Sequence, residues 1–175
     1  MGKLNFYKEE KSISETIGTW KILIADDEED VHILTKTVLK NFIYKDKSLE
    51  FISAYNSEQT LDILKNNDDI VLVLLDVIME SDDAGLQVVK KIRETLNNQY
   101  IQIVLRTGQS GLVPETEVVM NYAINDYKEK TELTTQKLHT TLVTALRSFR
   151  DLSTIDSSRR SLKKIVESSA TMFEV

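Results

Sequence analysis

Ile70-Val-Leu-Val-Leu-Leu-Asp76 is the stretch on which the fold turns. Six apolar residues stop at a single carboxylate, and the polar run Asn66-Asn67-Asp68-Asp69 precedes them. An apolar run of this length between polar boundaries predicts a strand buried on both faces of a parallel sheet. Asp76 then lies at the carboxyl edge, where open α/β sheets bind ligands and do chemistry. On its own, an Asp in that place is more often a helix cap or a loop residue, so the neighbouring segments have to decide.

Working outward, Trp20-Lys-Ile-Leu-Ile-Ala25 reads as a strand ending in Asp26-Asp27-Glu28. A helix follows it, with Val31, Leu34, Val38, Leu39 and Phe42 at helical spacing. Leu49–Ala54 alternates as a second strand, and Asn56-Ser57 caps a helix whose apolar side is Leu61, Ile63 and Leu64. Beyond Asp76 a polar loop with Gly85 leads to a helix with Leu86, Val88, Val89 and Ile92 on its inner side. Ile101–Leu105 reads as a fourth strand, closed by Arg106-Thr107-Gly108. Pro114, the only proline, opens a short helix, and Ala123–Tyr127 is a fifth strand that Lys128-Glu129-Lys130 leave. Five strands alternating with helices predict an α/β, doubly wound parallel sheet.

The ends of the chain read differently. Residues 1–19 are polar and aperiodic, a flexible arm. From Glu132 the apolar positions Leu138, Leu142, Ala145, Phe149 and Leu152 step along a helix without Gly or Pro. They slip near Asp156–Arg159 and resume at Leu162, Ile165, Ala170 and Phe173. One long helix is expected, or two with a break, and its outer part is expected to pair as a coiled coil with a second copy. The helix runs to Val175 without a stop signal, which suits a chain that continues.

Bulk composition excludes several classes. The 175 residues are 41% hydrophobic and 29% charged with net charge −6, the profile of a globular protein with little general affinity for nucleic acid or anionic lipid. There is no cysteine, which removes disulfides, thiolate metal sites and thiol nucleophiles. No run approaches the roughly 18 apolar residues of a membrane span, and the N-terminus lacks the apolar core of a secretory signal. A cytoplasmic protein is expected.

The strand ends converge on one chemistry. The first carries Asp26 and Asp27, the third Asp76, the fourth Thr107, and the fifth leads to Lys130. Carboxylates gathered at one edge repel each other, and a hard divalent cation with oxygen ligands, Mg²⁺, relieves that repulsion. A hydroxyl and an ammonium beside it would grip phosphoryl oxygens while an Asp acts as nucleophile.

This ordered set, in these strand contexts, resembles the receiver domain of two-component response regulators over residues 20–148. The resemblance implies a flavodoxin-like sheet of order 2-1-3-4-5, with residues 149–175 a helical extension for signalling or dimerisation. It implies that Asp76 is the phosphoacceptor, served by a sensor histidine kinase or a phosphotransfer protein of a phosphorelay. Asp27, Asp76 and the Ile78 carbonyl would bind Mg²⁺ directly and Asp26 through water. Thr107 and Lys130 would contact the phosphoryl group, and Tyr127 would turn inward as the Thr107 hydroxyl moves. The switch would report through the face of the fourth helix, fifth strand and last helix, also a dimer surface.

Three positions depart from the usual receiver pattern: Glu80 and Thr131 stand where Pro is common, and Gly108 replaces a small residue bearing a side chain. Ile78 and Gln109 flank the acceptor, and apolar Ile78 is expected to hinder attacking water and prolong the phosphorylated state. Ile-Leu-Arg-Thr-Gly-Gln and Ile-Asn-Asp-Tyr-Lys-Glu-Lys-Thr-Glu-Leu resemble receivers that open longer regulators with cyclic-di-GMP phosphodiesterase, cyclase or kinase outputs.

Competing readings fare worse. A Mg²⁺ phosphatase of the haloacid dehalogenase type would need an acid at Ile78, and no Gly-x-x-x-x-Gly-Lys-Ser/Thr loop accompanies Asp76. Residues 131–175 hold seven Lys or Arg against five Asp or Glu, too little for a DNA-binding output, so direct nucleic-acid or membrane binding and catalysis by the chain itself are not expected. His32 and His139 are expected in surface or core roles.

Overall fold

Ile70–Asp76 forms β3, buried at all seven positions. In the computed structural model, which describes residues 17–108, 124–130 and 134–171, it is the central strand of five. The others are β1 (Thr19–Ala25), β2 (Ser48–Ala54), β4 (Gln102–Thr107) and β5 (Asp126–Glu129). All pairings are parallel, in the order β2-β1-β3-β4-β5. This is the flavodoxin-like receiver arrangement the resemblance implied.

Alternation along each strand sorts the side chains into two layers. Leu23, Val73, Leu75, Ile103 and Leu105 face one side, where α2 (Ser57–Asn66) and α3 (Ala84–Lys90) cover them. Ile22, Ile24, Leu72, Leu74 and Val104 face the other, beneath α1 (Glu29–Leu39) and the last described helix, α4 (Thr135–Thr171). The Asn56 side chain accepts the Gln59 N–H at 2.9 Å, the expected cap of α2. Helix α3 runs into one widened turn, Lys91–Thr95, after which Arg93 donates to the Asn98 and Ile101 carbonyls at 2.6 and 3.0 Å.

Helix α4 is continuous through Asp156–Arg159, so the alternative of a break there is corrected. Leu138, Leu142, Ala145 and Leu146 are buried on the sheet. The slip in the apolar pattern marks where the helix passes the foot of the sheet. Asp156 and Arg160 pair at 2.7 Å there and line a cleft of about 440 Å³ with Asp68 and Tyr100. Beyond the domain, Ile155, Leu162, Ile165 and Val166 are 60–67% exposed.

Further corrections concern details. Strand β4 includes Arg106 and Thr107, and β1 takes in Thr19 from the expected arm. Strand β5 starts at Asp126, later than expected, because Ile103 N–H bonds the Asn125 side chain at 2.7 Å instead of a strand carbonyl. Leu34 is 64% exposed and Leu152 40%, whereas the inward face of α1 carries His32, Thr35 and Leu39. The helix expected after Pro114, Gln109, the Lys130–Thr131 bond and residues 1–16 lie outside the described residues.

Candidate functional site: the carboxyl edge of the sheet

The register builds the site. Ala25 pairs with Leu75, Asp76 with Arg106, and Thr107 with Glu129. Asp26, Asp76, Thr107 and Lys130 therefore leave adjacent strands at the same level. Asp26 and Asp76 are 0% and 3% exposed, whereas Asp27 and Glu28 face solvent. One carboxylate oxygen from each of these four lies within 4.8 Å of the others, a group that could hold a metal ion.

Lys130 answers that charge. Its Nζ donates to Asp76 Oδ2 at 2.9 Å, to Glu28 Oε1 at 2.8 Å and to Asp26 at 3.2 Å. Burial works against its charge, yet the bonds to Glu28 and Asp76 prevail and raise its pKa. The same bond lowers the Glu28 carboxyl. Asp76 moves the opposite way from Glu28: burial, reinforced by the charge of Asp26, raises its pKa although Lys130 opposes the shift. Among the described residues Asp76 Oδ1 is buried without a hydrogen-bond partner. An orphaned carboxylate oxygen is costly, and a hard cation is the group that satisfies it. The donor set therefore fits Mg²⁺.

Around this core the backbone is tightly held. The His32 Nε2–H donates to the Asp26 carbonyl at 2.8 Å, and Nδ1 accepts from Ser53 Oγ at 3.0 Å. Lys36 in turn donates to Ser53 Oγ at 2.9 Å. Arg106, 2% exposed, donates to Asp26 Oδ2 at 3.3 Å and to Thr35 Oγ1 at 3.1 Å. The first turn of α3 presses on the strand end, where Gly85 N–H donates to the Val77 carbonyl at 2.9 Å. A Cβ at Gly85 would run into the Asp76 carbonyl oxygen, so the close approach itself requires glycine.

The structure brings Asp26, Asp27, Asp76 and Lys130 together and places Thr107, buried, on the strand next to Asp76. Ile78 is half-buried two residues beyond Asp76. Tyr127 is 8% exposed and turned into the α2–α3 core. At Gly108 an added Cβ would lie 4.0 Å from Lys130 Cδ, an ordinary contact. Glu80, standing where Pro is usual in receivers, accepts the Ser57 N–H with both oxygens at 3.2 and 3.3 Å and latches the loop to α2. Sequence reasoning gave Glu28 and Arg106 no role in the site and His32 only a surface or core role. A signal existed for Arg106, a lone charge inside the apolar run Ile103-Val-Leu-Arg-Thr107. His139 sits at the core margin against Phe42, ring centroids 5.3 Å apart.

A family model for the response regulator receiver domain matches residues 22–143. The chain belongs to this family. The end of the receiver domain and the rest of α4, residues 142–175, match a second model, a domain of unknown function (DUF3369). Among curated relatives, the 3'3'-cGAMP-specific phosphodiesterase 2 of Vibrio cholerae is 41% identical over 165 residues, 94% of this chain but 32% of that protein. The chain thus spans about a third of that relative's length. Transcriptional regulatory protein CpxR of Escherichia coli K12 is 34% identical over 89 residues, 51% of this chain and 35% of that protein.

Solved receiver domains share the fold. The signal receiver domain of an HD domain-containing protein from Pseudomonas fluorescens superposes with TM-score 0.62 at 21% identity, covering 76% of this chain and 98% of that one. The N-terminal domain of a response regulator/sensory box/GGDEF protein from Carboxydothermus hydrogenoformans gives 0.63 at 20%, with the same coverage. No described helix is long and apolar enough to cross a membrane.

Proposed function

We propose that this receiver domain accepts a phosphoryl group on Asp76 from the phosphohistidine of a sensor histidine kinase or phosphotransfer protein. A carboxylate oxygen of Asp76 attacks phosphorus, the P–N bond of the donor breaks, and an aspartyl phosphate forms while the imidazole leaves. Asp26, Asp27, Asp76 and the Ile78 carbonyl are the groups that would hold Mg²⁺, with Asp26 acting through water. The bound ion would supply positive charge to the phosphoryl oxygens. Lys130 gives up its bonds to carboxylates and turns to a phosphoryl oxygen, and the Thr107 hydroxyl moves to another. The ring of Tyr127, already turned inward, then shifts further into the space that the hydroxyl vacates. Half-buried Ile78 shields the acyl phosphate from water.

The observation that carries this reading is Asp76 itself. It is almost wholly buried, raised in pKa by that burial, bonded to Lys130 through one oxygen, and left with the other unpartnered. A buried carboxylate with a perturbed pKa and a specific charge partner is a functional-site candidate. The experiment is incubation with acetyl phosphate and MgCl₂, read by intact mass. One phosphoryl adduct is expected in wild type, and none after chelation or in Asp76→Asn.

The output runs through α4. Leu152, Ile155, Arg159, Leu162 and Val166 recur by threes and fours, the spacing of a two-helix seam, and Leu152, Ile155, Leu162 and Val166 are 40–67% exposed. A second copy of this chain fits it, with Arg159 as the polar residue that fixes register. Phosphorylation then shifts a two-state equilibrium, and a swing from 1:99 to 99:1 requires about 5.5 kcal/mol of differential stabilisation. Similarity to the Vibrio cholerae phosphodiesterase across α4 as well as the receiver favours a cyclic-dinucleotide phosphodiesterase as the regulated output. A kinase partner places the domain in the cytoplasm.

A further inference from the structure

Arg106 has no task in the transfer step. It interrupts an apolar strand that is buried at every position, and among the described residues its guanidinium is held at two corners, by Asp26 and Thr35. Its Nε is buried without a partner among those residues. Replacing such a buried ion by an apolar side chain of similar size is often neutral or stabilising, so its presence asks for a reason beyond packing.

The charges of the site suggest one. Four carboxylates gather at the edge, and Lys130 alone would leave a surplus of three negative charges. Arg106, at 3.3 Å from Asp26, reduces the surplus to two, which one dication cancels. A fixed cation beside Asp26 also repels an incoming one.

We infer that Arg106 is a positioning residue for the metal site: it holds Asp26 in place in the metal-free protein and thereby weakens Mg²⁺ binding, so that a preassembled site exchanges its ion freely. Thr35 orients the guanidinium from α1. The inference rests on the Mg²⁺ reading given above. A unit charge and a dication separated by about 6 Å interact, even with water-like screening, by an amount worth about tenfold in affinity.

The test is calorimetric titration of the full chain with MgCl₂, comparing wild type with Arg106→Gln, Arg106→Lys and Thr35→Val, with thermal melts taken with and without Mg²⁺. Arg106→Gln is expected to bind about tenfold more tightly and to gain more thermal stability from Mg²⁺ than wild type does. Arg106→Lys, which keeps the charge, and Thr35→Val, which removes only the tether, stay close to wild type. A merely structural arginine would leave affinity unchanged or weaken it on removal, and either result in Arg106→Gln overturns the inference. If Arg106→Gln is unfolded without metal, refolding by MgCl₂ but not by NaCl of equal ionic strength supports it, and failure to refold overturns it. Absence of Mg²⁺ binding by wild type would instead overturn the metal reading, and the inference with it.

Discussion

At the carboxyl edge of the sheet Asp26, Asp76 and Arg106 are almost wholly buried, while along the outer half of α4 Ile155, Leu162, Ile165 and Val166 are more than half exposed. Each region breaks the ordinary partition of polar and apolar groups in the opposite sense. Buried charges and exposed apolar stripes are the placements that ask for a functional explanation. At the edge, the charges answer one another through Lys130 and Arg106, and what stays unanswered among the described residues is one oxygen of Asp76 and the Nε of Arg106. On α4, the seam lies beyond the sheet that covers Leu138 and Leu142. The first region reads as a site for a charged ligand, the second as a surface for another chain.

The comparison can be sharpened within one helix. Leu142 is fully buried and Leu162 is 64% exposed. Leu142→Ala should lower the unfolding free energy by about 2–5 kcal/mol through lost burial and a residual cavity, as read by urea denaturation. At the edge, Gly85→Ala should cost about 1–3 kcal/mol, because the new methyl meets the Asp76 carbonyl and one backbone must give. It should also impair Mg²⁺ binding, since Asp76 moves with that backbone. A Gly85→Ala protein as stable as wild type would show that the α3 turn is not pinned to β3.

Asp76→Asn should raise stability by about 0.5–2 kcal/mol, the usual yield of relieving a strained functional site. The sign follows from the raised pKa: the folded state holds the Asp76 proton more tightly than the unfolded chain. Ionisation therefore penalises the fold. The penalty is absent in acid below the ordinary value of 3.8 and complete once the pH passes the raised one. Denaturation of both proteins across pH should show curves that converge in acid and separate towards neutrality. A gap that widens in acid would break the account of the edge. Smallest of all, Leu162→Ala should change dilute monomer stability by less than about 0.5 kcal/mol while weakening self-association in sedimentation. A loss comparable to that of Leu142→Ala would mean that the outer seam is already buried within one chain.

The sequence made the sheet legible because its strands are runs of branched apolar residues that end in a polar group. Asp26, Asp27, Asp76 and Lys130 were readable for the same reason, since each closes or follows such a run. Two kinds of feature were less so. The inner face of α1 is partly polar, His32 and Thr35 being satisfied by Ser53, Asp26 and Arg106, and an apolar-period reading therefore turned the helix toward Leu34. The start of β5 was misplaced because Asn125 replaces a ladder bond with its side chain. Both depend on partners distant in sequence, such as Thr35 and Arg106, which no local pattern reveals.

The measurement that bears most directly on the central claim is the location of the phosphoryl group. After treatment with acetyl phosphate and MgCl₂, reduction with borohydride converts an aspartyl phosphate to homoserine, and peptide mass spectrometry locates the change. The account predicts homoserine at position 76 and at no other acidic residue of the edge. Modification at Asp26 or Asp27 instead, or no modification at all with Mg²⁺ present, would contradict it.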